Sequence, residues 1–245
     1  MIKILDCKKP NYLSRLKLIL NKRRFKSKIN TDIVIKIVKD IKKNKQKALL
    51  KYEKKFSNNT KIKPTKNEIN NSIKSLDPKI KNAIDFAYYR ILKFHSLQKN
   101  KNIKYLDNQN NKIEYKYIPI QSVGIYVPSN LPSTLLMNAI LAKKIAGVKR
   151  VVLANPRLNG KLNPAVMYAA KKCGISEIVS AGGSQAIASL AYIQRVSKII
   201  GPGNDFVARA KKEVFGDVGI EGMIAGPSEI TVVADKNTNL NDVIT

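Results

Sequence analysis

Histidine, cysteine and tryptophan are the residues that this sequence has least of: its 245 residues include one His, two Cys and no Trp. Two Cys are too few for the disulfide framework of a small secreted protein. Together with a single His they cannot form a zinc cage of His and Cys ligands alone. No apolar run approaches the roughly 18 residues of a membrane-spanning helix, and the first residues lack the pattern of a secretory signal. These absences predict a protein of the reducing cytoplasm with no membrane partner.

Acidic residues are also scarce, with 17 Asp and Glu against 46 Lys and Arg, for a net charge of +29. The first 120 residues carry +23 of this charge and the remainder +6. A strongly basic chain can bind nucleic acid, but only 8 of the basic residues are Arg, whose planar fork grips phosphate best. Lys, Ile and Asn, which all have A/T-rich codons, are abundant together at 38, 31 and 24 residues. We therefore interpret the charge mainly as genome bias and keep a nucleic-acid-binding protein as the alternative function.

The hydrophobic pattern divides the chain into a helical first part and an alternating second part. From about residue 13 to residue 98 apolar residues recur at helical spacing, and the polar residues 99–112 are typical of a loop or hairpin. After residue 116, short β-branched runs alternate with helical stretches, which predicts βαβ units and an α/β fold with a mainly parallel sheet. The predicted strands are 117–120, 123–127, 148–154, 175–180, 196–200 and 230–234. The predicted helices between them are 133–146, 163–172, 184–194 and 205–215.

Four predicted turns at the ends of strands are rich in Gly and Pro. They cover residues 126–128, 181–185, 201–204 and 225–229. Ligands of open parallel sheets bind at the carboxyl ends of the strands, and glycine lets backbone N–H groups approach an anion closely. None of these turns is a G-x-G-x-x-G or P-loop motif. Their recurrence at successive strand ends favours a nucleotide-sized ligand.

A series of longer motifs resembles one enzyme family. The segments VGIYVP, SEIVSAGGSQAIA, KIIGPGNDFVARAKKEVFGDVGI and AGPSEITVVAD, with FHSLQ upstream of them, occur in the order found in histidinol dehydrogenase. The resemblance implies a fold like that of the aldehyde dehydrogenases, with one α/β domain inserted into another. It implies that residues 1–120 form the helical start of a first, incomplete domain, 121–229 an NAD-binding domain with helices on both faces of its sheet, and 230–245 a return into the first domain.

The same resemblance implies a function and a set of site residues. The family oxidises L-histidinol to L-histidine through the aldehyde in two NAD-dependent steps at a zinc site, as a cytoplasmic homodimer. The implied NAD contacts here are Tyr126, Gln185 and Asn204, and Ser228 is the implied substrate contact. Without the resemblance, Tyr126 would be a core aromatic at a strand end, Asn204 a turn residue that tolerates positive φ, and the other two capping residues.

The family's zinc ligands and catalytic Glu-His pair have no counterpart in this sequence. By the resemblance, residues 241–245 correspond to part of the helix that precedes the family's Q-x-x-H zinc pair. The catalytic pair then lies beyond Thr245. We therefore assign no catalytic residue and no metal ligand, and we expect this chain to be inactive alone. His95 is expected to be a structural or surface residue and Cys173 a structural one, while Cys7 lies near the start of the chain. Neither cysteine has a partner His, so no thiol nucleophile is expected. An inert product of an eroding gene is a third hypothesis.

Two departures from the family pattern concern the cofactor loops. Residues 128–133 lack the family's usual Gly-Gly and form a shorter loop. Glu221 stands where the family usually has Asp.

Overall fold

The computed structural model describes residues 5–25, 31–221, 234–235, 237–239 and 241. The helices are α1 (Tyr12–Phe25), α2 (Thr31–Ser57), α3 (Lys66–Lys74), α4 (Pro78–Ser96), α5 (Pro132–Ile140), α6 (Pro164–Lys172), α7 (Gly183–Tyr192) and α8 (Asp205–Val214), and a π-helical turn over Leu141–Ile145 continues α5. The strands are β1 (Ile103–Leu106), β2 (Lys112–Tyr115), β3 (Ser122–Tyr126), β4 (Arg150–Ala154), β5 (Glu177–Val179), β6 (Lys198–Ile200) and β7 (Gly219–Ile220).

Five of the strands form one parallel sheet in the order β5-β4-β3-β6-β7. In the central register, Gly124 of β3 lies between Val152 of β4 and Ile199 of β6. The chain therefore moves outward from β3 to β5 and then returns to the other side of β3. This is a doubly wound order with its switch point between β3 and β6, and it confirms the predicted α/β fold.

Both faces of the sheet are covered by helices. Val123 and Ile125 of β3 belong to the core under α4, α5 and α6, whereas Tyr126 belongs to the core under α2, α7 and α8. A Cβ at Gly124 would lie 3.0 Å from the Leu190 side chain of α7, so this helix rests directly on β3. Helices α2 and α4 come from the predicted first domain, yet each shares a core with the sheet. The predicted domain division itself stays a prediction.

Helix α2 follows the predicted apolar spacing up to its middle and departs from it near its end. Val34 and Ile41 are fully buried, as the spacing predicts. Further along, Phe56 is 51% exposed, although the spacing includes it in the apolar set, while Glu53 is 0% exposed. A backbone kink at Lys45 (φ 47°, ψ −125°) separates the two halves.

The remaining differences from the sequence pattern concern short elements. Residues 99–112, a predicted loop or hairpin, contain the antiparallel hairpin of β1 and β2. Residues 117–120, a predicted strand, lie outside the sheet, because Pro119 has no N–H to donate to a ladder. Strand β7 has only two residues, too few for the pattern to indicate a strand. The predicted strand 230–234 lies, apart from Ala234, outside the described residues. No helix in the described part of the chain combines the length and apolar character needed to span a bilayer.

Asp40 ties the two halves of α2 together across the kink. Its carboxylate accepts hydrogen bonds from Asn44 Nδ2 at 2.7 Å, Lys51 Nζ at 2.9 Å and the Tyr52 hydroxyl at 2.9 Å. These hydrogen bonds lower the pKa of Asp40 to about 2, and the bond from Asn44 has the largest effect on it. The bonds favour the ionised carboxylate, so the kinked helix depends on this charge.

Replacing Asp40 should therefore reduce stability in a pH-dependent way. Because its folded pKa lies below its unfolded value, its contribution is complete above about pH 5 and is lost as the pH falls towards 2. We expect Asp40→Asn to lower the free energy of unfolding by about 1–2 kcal/mol at pH 7. Urea unfolding followed by circular dichroism at pH 7, 4 and 3 should show the two proteins converging as the pH falls.

The control for this experiment is Asp32→Asn, which removes an exposed carboxylate from the first turn of the same helix. It should cost less than half as much at pH 7. An Asp40→Asn deficit that stayed constant from pH 7 to pH 3 would contradict the role of the charge.

Candidate functional site

The three predicted cofactor contacts come together at the carboxyl edge of the sheet. Tyr126 is the last residue of β3, Gln185 lies in the first turn of α7, and Asn204 precedes α8 directly after β6. Strands β3 and β6 flank the switch point, which is where doubly wound sheets bind nucleotides. Ser228, the predicted substrate contact, lies outside the described residues, as does the rest of its turn.

Tyr126 is buried, but its hydroxyl is engaged at the start of α7. The hydroxyl oxygen accepts a hydrogen bond from the Gly183 N–H at 3.1 Å. Burial raises the pKa of Tyr126 above its ordinary value, and the nearby Glu53 carboxylate raises it further. The hydroxyl therefore keeps its proton at neutral pH and can still donate one hydrogen bond. The ring packs in the core, as the plainer alternative predicted, while the hydroxyl stays at the strand end.

Gln185 is held by a residue that sequence reasoning does not single out. Its Nε2 donates to Glu53 Oε1 of α2 at 2.8 Å, and the same oxygen accepts the Gly182 N–H at 2.9 Å. Among the described residues, Glu53 Oε2 is buried without a hydrogen-bond partner. A signal for this residue does exist: Glu53 follows Leu49 by four positions and so shares the buried face of α2.

Asn204 is the N-cap of α8. Its Oδ1 accepts the Val207 N–H at 3.2 Å, and its φ of −78° is not the left-handed conformation that the plainer alternative would have required. The side chain is exposed, and the amide Nδ2 remains a donor at the carboxyl edge. The structure therefore gives Asn204 a capping role that leaves its donor group available to a ligand.

The turn that carries Asn204 is packed against β3 and is held by an ion pair between buried Lys211 and partly exposed Glu221. Gly201 has a φ of +115°, and a Cβ on it would lie 2.1 Å from the carbonyl oxygen of Tyr126, so no other residue fits there. The Gly201 N–H donates to Glu221 Oε2 at 3.0 Å, and buried Lys211 donates both to the Gly201 carbonyl and to Glu221. Glu221 therefore supplies a carboxylate to this turn, as the Asp that the family resemblance implies at this position could also do.

The shortened loop after β3 is held from beneath by Asn155. Its Nδ2 donates to the carbonyl oxygens of Val127 at 2.8 Å and Ser129 at 2.9 Å. Ser129 adopts a left-handed conformation with φ 48°, which favours glycine. The turn geometry of a glycine is thus kept at a serine, and two side-chain hydrogen bonds maintain it.

The one histidine of the sequence, His95, lies away from this edge. The His95 Nδ1 lies 2.6 Å from Gln98 Oε1, and its Nε2 lies 3.2 Å from the Met137 sulfur. Gln98 lines a cavity of about 650 Å³ with Val123 and Lys198, which mark the amino ends of β3 and β6. The imidazole therefore lies at the opposite edge of the sheet.

The thiols offer no activated nucleophile in the described part of the chain. Cys173 is buried, and burial raises its pKa to about 11, so it stays a neutral thiol. Cys7 is exposed near the start of the chain. Within the residues that the structure describes, no three His, Cys, Asp or Glu side chains are grouped closely enough to hold a metal ion.

The predicted position of the catalytic pair concerns a part of the chain that the structure leaves undescribed. The resemblance puts the family's Glu-His pair beyond Thr245, and Thr245 itself lies outside the described residues. The assignment of no catalytic residue to this chain therefore stays a prediction. The one imidazole of the sequence, that of His95, is described and lies at the amino edge, away from the predicted cofactor contacts.

Comparison with known proteins identifies relatives of one kind. The family model for histidinol dehydrogenase matches residues 20–245. A histidinol dehydrogenase from Pelagibacter ubique is 61% identical over 246 residues, which cover 98% of this chain and 57% of the relative. One from Rhodospirillum rubrum is 40% identical, covering 89% of this chain and 52% of the relative. The chain therefore spans about half the length of the curated relatives it matches.

A solved structure agrees with the sequence relatives. The crystal structure of histidinol dehydrogenase from Elizabethkingia anophelis superposes with a TM-score of 0.78 and 37% sequence identity. The match covers 86% of this chain and 51% of the crystallised one. The α/β fold and the order of its elements are thus shared with that enzyme.

The left-handed serine of the β3 loop leads to a stability prediction. A glycine at position 129 would adopt φ 48° without the steric cost of a Cβ. We therefore expect Ser129→Gly to raise the free energy of unfolding by about 0.5–1 kcal/mol, since the Asn155 bonds go to backbone carbonyls and are retained. Thermal unfolding monitored by circular dichroism measures the change.

Ser133→Gly is the matched control, because Ser133 has helical geometry in the exposed first turn of α5. That change should lower stability by a few tenths of a kcal/mol, since glycine is the poorer helix former. Equal effects of the two substitutions would contradict the assignment of strain to Ser129.

Proposed function

The chain belongs to the histidinol dehydrogenase family, and we propose that it supplies the NAD-binding part of an enzyme that oxidises L-histidinol to L-histidine through the aldehyde. The proposal follows the family for the reaction and for its place in histidine biosynthesis. It includes a homodimeric assembly and a cytoplasmic location, as the family resemblance implies. Residues 1–120, 121–229 and 230–245 are proposed as the domain division.

The observation that carries the cofactor assignment is that Tyr126, Gln185 and Asn204 all follow or end strands at one edge of the sheet, where Tyr126 contacts both Gly183 and Gly201. Their side chains come from three different loops, after β3, β5 and β6. Two of these loops approach so closely that only glycine fits at position 201. In doubly wound sheets, dinucleotides bind at the carboxyl ends of the strands beside the switch point, among a few polar side chains.

The hydrogen-bonding groups at this edge of the sheet suit NAD. A bound NAD would supply the hydride acceptor: it would take a hydride from the alcohol carbon in the first step. In the second step it would take one from the same carbon of the aldehyde hydrate. The Tyr126 hydroxyl and Asn204 Nδ2 are donors for carboxamide, ribose or phosphate oxygens. Gln185 Oε1 is an acceptor for an N–H or O–H group. Ser228 is proposed as a substrate contact on the family resemblance alone.

Zinc and the proton-transferring groups are not supplied by the described residues. These residues contain no candidate metal cluster, so they do not fit the family's zinc. The sequence contains one His, and its ring lies at the opposite edge of the sheet from the predicted cofactor contacts. Removing the alcohol proton as the hydride leaves requires a positioned base. We therefore propose that this chain alone binds NAD without oxidising histidinol.

The proposal predicts binding without turnover. Because the sequence has no Trp, the emission of NADH itself can report binding, and we expect a saturable change when the chain is titrated into NADH. Tyr126→Phe removes one donor and should raise the Kd about three- to tenfold, the equivalent of roughly 0.5–1.5 kcal/mol. With NAD⁺, L-histidinol and zinc, absorbance should show no NADH formation.

Tyr168→Phe is the matched control for this test. Its hydroxyl bonds to Asp85 at 2.8 Å, between α6 and α4, on the opposite face of the sheet from α7. It should leave the Kd for NADH unchanged. Absence of any NADH binding by the unmodified chain would refute the cofactor assignment, and turnover at the rate of an intact family enzyme would refute the proposed inactivity.

A further inference from the structure

Glu53 lies on α2 and is buried. Its side chain makes hydrogen bonds at the start of α7, at the carboxyl edge of the sheet. It is 0% exposed and lies on the face of α2 that packs against α7. Its Oε1 accepts two hydrogen bonds, one from the Gly182 N–H at 2.9 Å and one from Gln185 Nε2 at 2.8 Å. A residue 132 positions away in sequence thus determines how a predicted cofactor contact is held.

The carboxylate dictates which end of the Gln185 amide faces inward. Glu53 Oε1 accepts the hydrogen bond from Gln185 Nε2, so the amide presents its NH₂ group to Glu53. The amide oxygen is then directed elsewhere. It lies beside the start of α7, 3.3 Å from where a Cβ on Gly183 would be, and it carries no hydrogen bond to any described residue. Gln185 therefore offers an acceptor, not a donor, to whatever binds at this edge.

A purely structural role for Glu53 would not require the second bond. A carboxylate at a helix N-terminus is stabilised by the dipole and by the first free N–H groups, and the Gly182 N–H alone would serve this purpose. Burying a carboxyl group is costly unless both of its oxygen atoms are hydrogen-bonded, yet Oε2 has no hydrogen-bond partner among the described residues. An apolar side chain would fill this part of the core at lower cost. The bond to Gln185 is thus the feature that a packing or capping role leaves unexplained.

We propose that Glu53 is a positioning residue for the cofactor: it fixes the Gln185 amide so that Oε1 accepts a hydrogen bond from a donor group of NAD. The inference rests on the NAD binding proposed above. The candidate donors are the carboxamide NH₂, the adenine NH₂ and the ribose hydroxyls. Phosphate oxygens, which have no proton at neutral pH, cannot fill this position.

A double-mutant cycle tests the coupling between the two side chains. Glu53→Leu and Gln185→Leu should each raise the Kd for NADH about tenfold, and the double variant should bind no more weakly than the weaker single variant. Glu53→Gln keeps an acceptor oxygen and should restore binding to within about twofold of the unmodified chain. Asp32→Asn removes an exposed carboxylate from the first turn of α2 and should leave the Kd unchanged. Additive losses, or unchanged binding by Glu53→Leu, would overturn the proposal.

A second measurement reads the position of Gln185 without any ligand. In ¹⁵N-labelled protein, the side-chain NH₂ protons of Gln185 should exchange slowly with solvent, and Glu53→Leu should speed their exchange at least tenfold. Global stability, measured on the same samples by urea unfolding, corrects for general opening of the fold. Fast exchange in the unmodified chain would overturn the positioning role. Slow exchange without NADH binding would instead overturn the proposed function, and the cofactor part of the inference with it.

Three further ligands identify what Gln185 accepts from. The 3-acetylpyridine analogue of NAD lacks the carboxamide NH₂, and NADP⁺ lacks one adenosine hydroxyl. The ligand that lacks the relevant donor should bind equally to the unmodified chain and to Gln185→Leu. If Gln185→Leu binds both the 3-acetylpyridine analogue and NADP⁺ more weakly than the unmodified chain does, the bond is assigned to the remaining hydroxyls or the adenine NH₂. Inorganic pyrophosphate should bind both proteins equally, and a tenfold loss for Gln185→Leu with pyrophosphate would overturn the proposal.

Discussion

A parallel sheet has to be covered on both faces, and this requirement organises the whole described fold. The five strands are only two to five residues long and bury their side chains on both sides. Helices α5 and α6 cover one face and α7 and α8 the other, with α4 and α2 packed beyond them. The early helices are thus part of the same two cores as the sheet. Because α2 packs against α7, it also brings a carboxylate to the start of that helix.

The doubly wound order then determines where a ligand can bind. Since the chain leaves β3 in one direction and returns to β6 in the other, the switch point lies between these two strands. There the main chain of Tyr126 and the turn at Gly201 pack in direct contact, so no side chain fits at position 201. Tyr126 and Gln185 are buried and Asn204 is exposed, and each lies at or after the end of a different strand. The site therefore depends on the packing of β3 against β6, not on any single motif.

Sequence reasoning was strongest where the signal is local. The starts of α6 at Asn163 and Pro164 and of α8 at Asp205 follow from residues within one helical turn, and the structure confirms these elements. The contact of Glu53 with Gln185 joins residues 132 positions apart and has no local signature. The left-handed Ser129 has none either, because its conformation depends on Asn155 from the next strand end. The family resemblance supplied Tyr126 and Gln185, for which composition and periodicity alone favoured structural roles.

The two glycine-rich turns of the site are stabilised in the same physical way, by Glu side chains that accept their backbone N–H groups. At Gly182 the buried carboxylate of Glu53 accepts the backbone N–H. At Gly201 the N–H is taken by Glu221 and the carbonyl by buried Lys211. Backbone groups in such turns have no partner in a sheet or helix, so leaving them unpaired would cost as much as a lost buried hydrogen bond. Side chains from elements packed behind the turns satisfy these groups. For this reason we regard Glu53, Lys211 and Glu221 as parts of the site rather than of the general core.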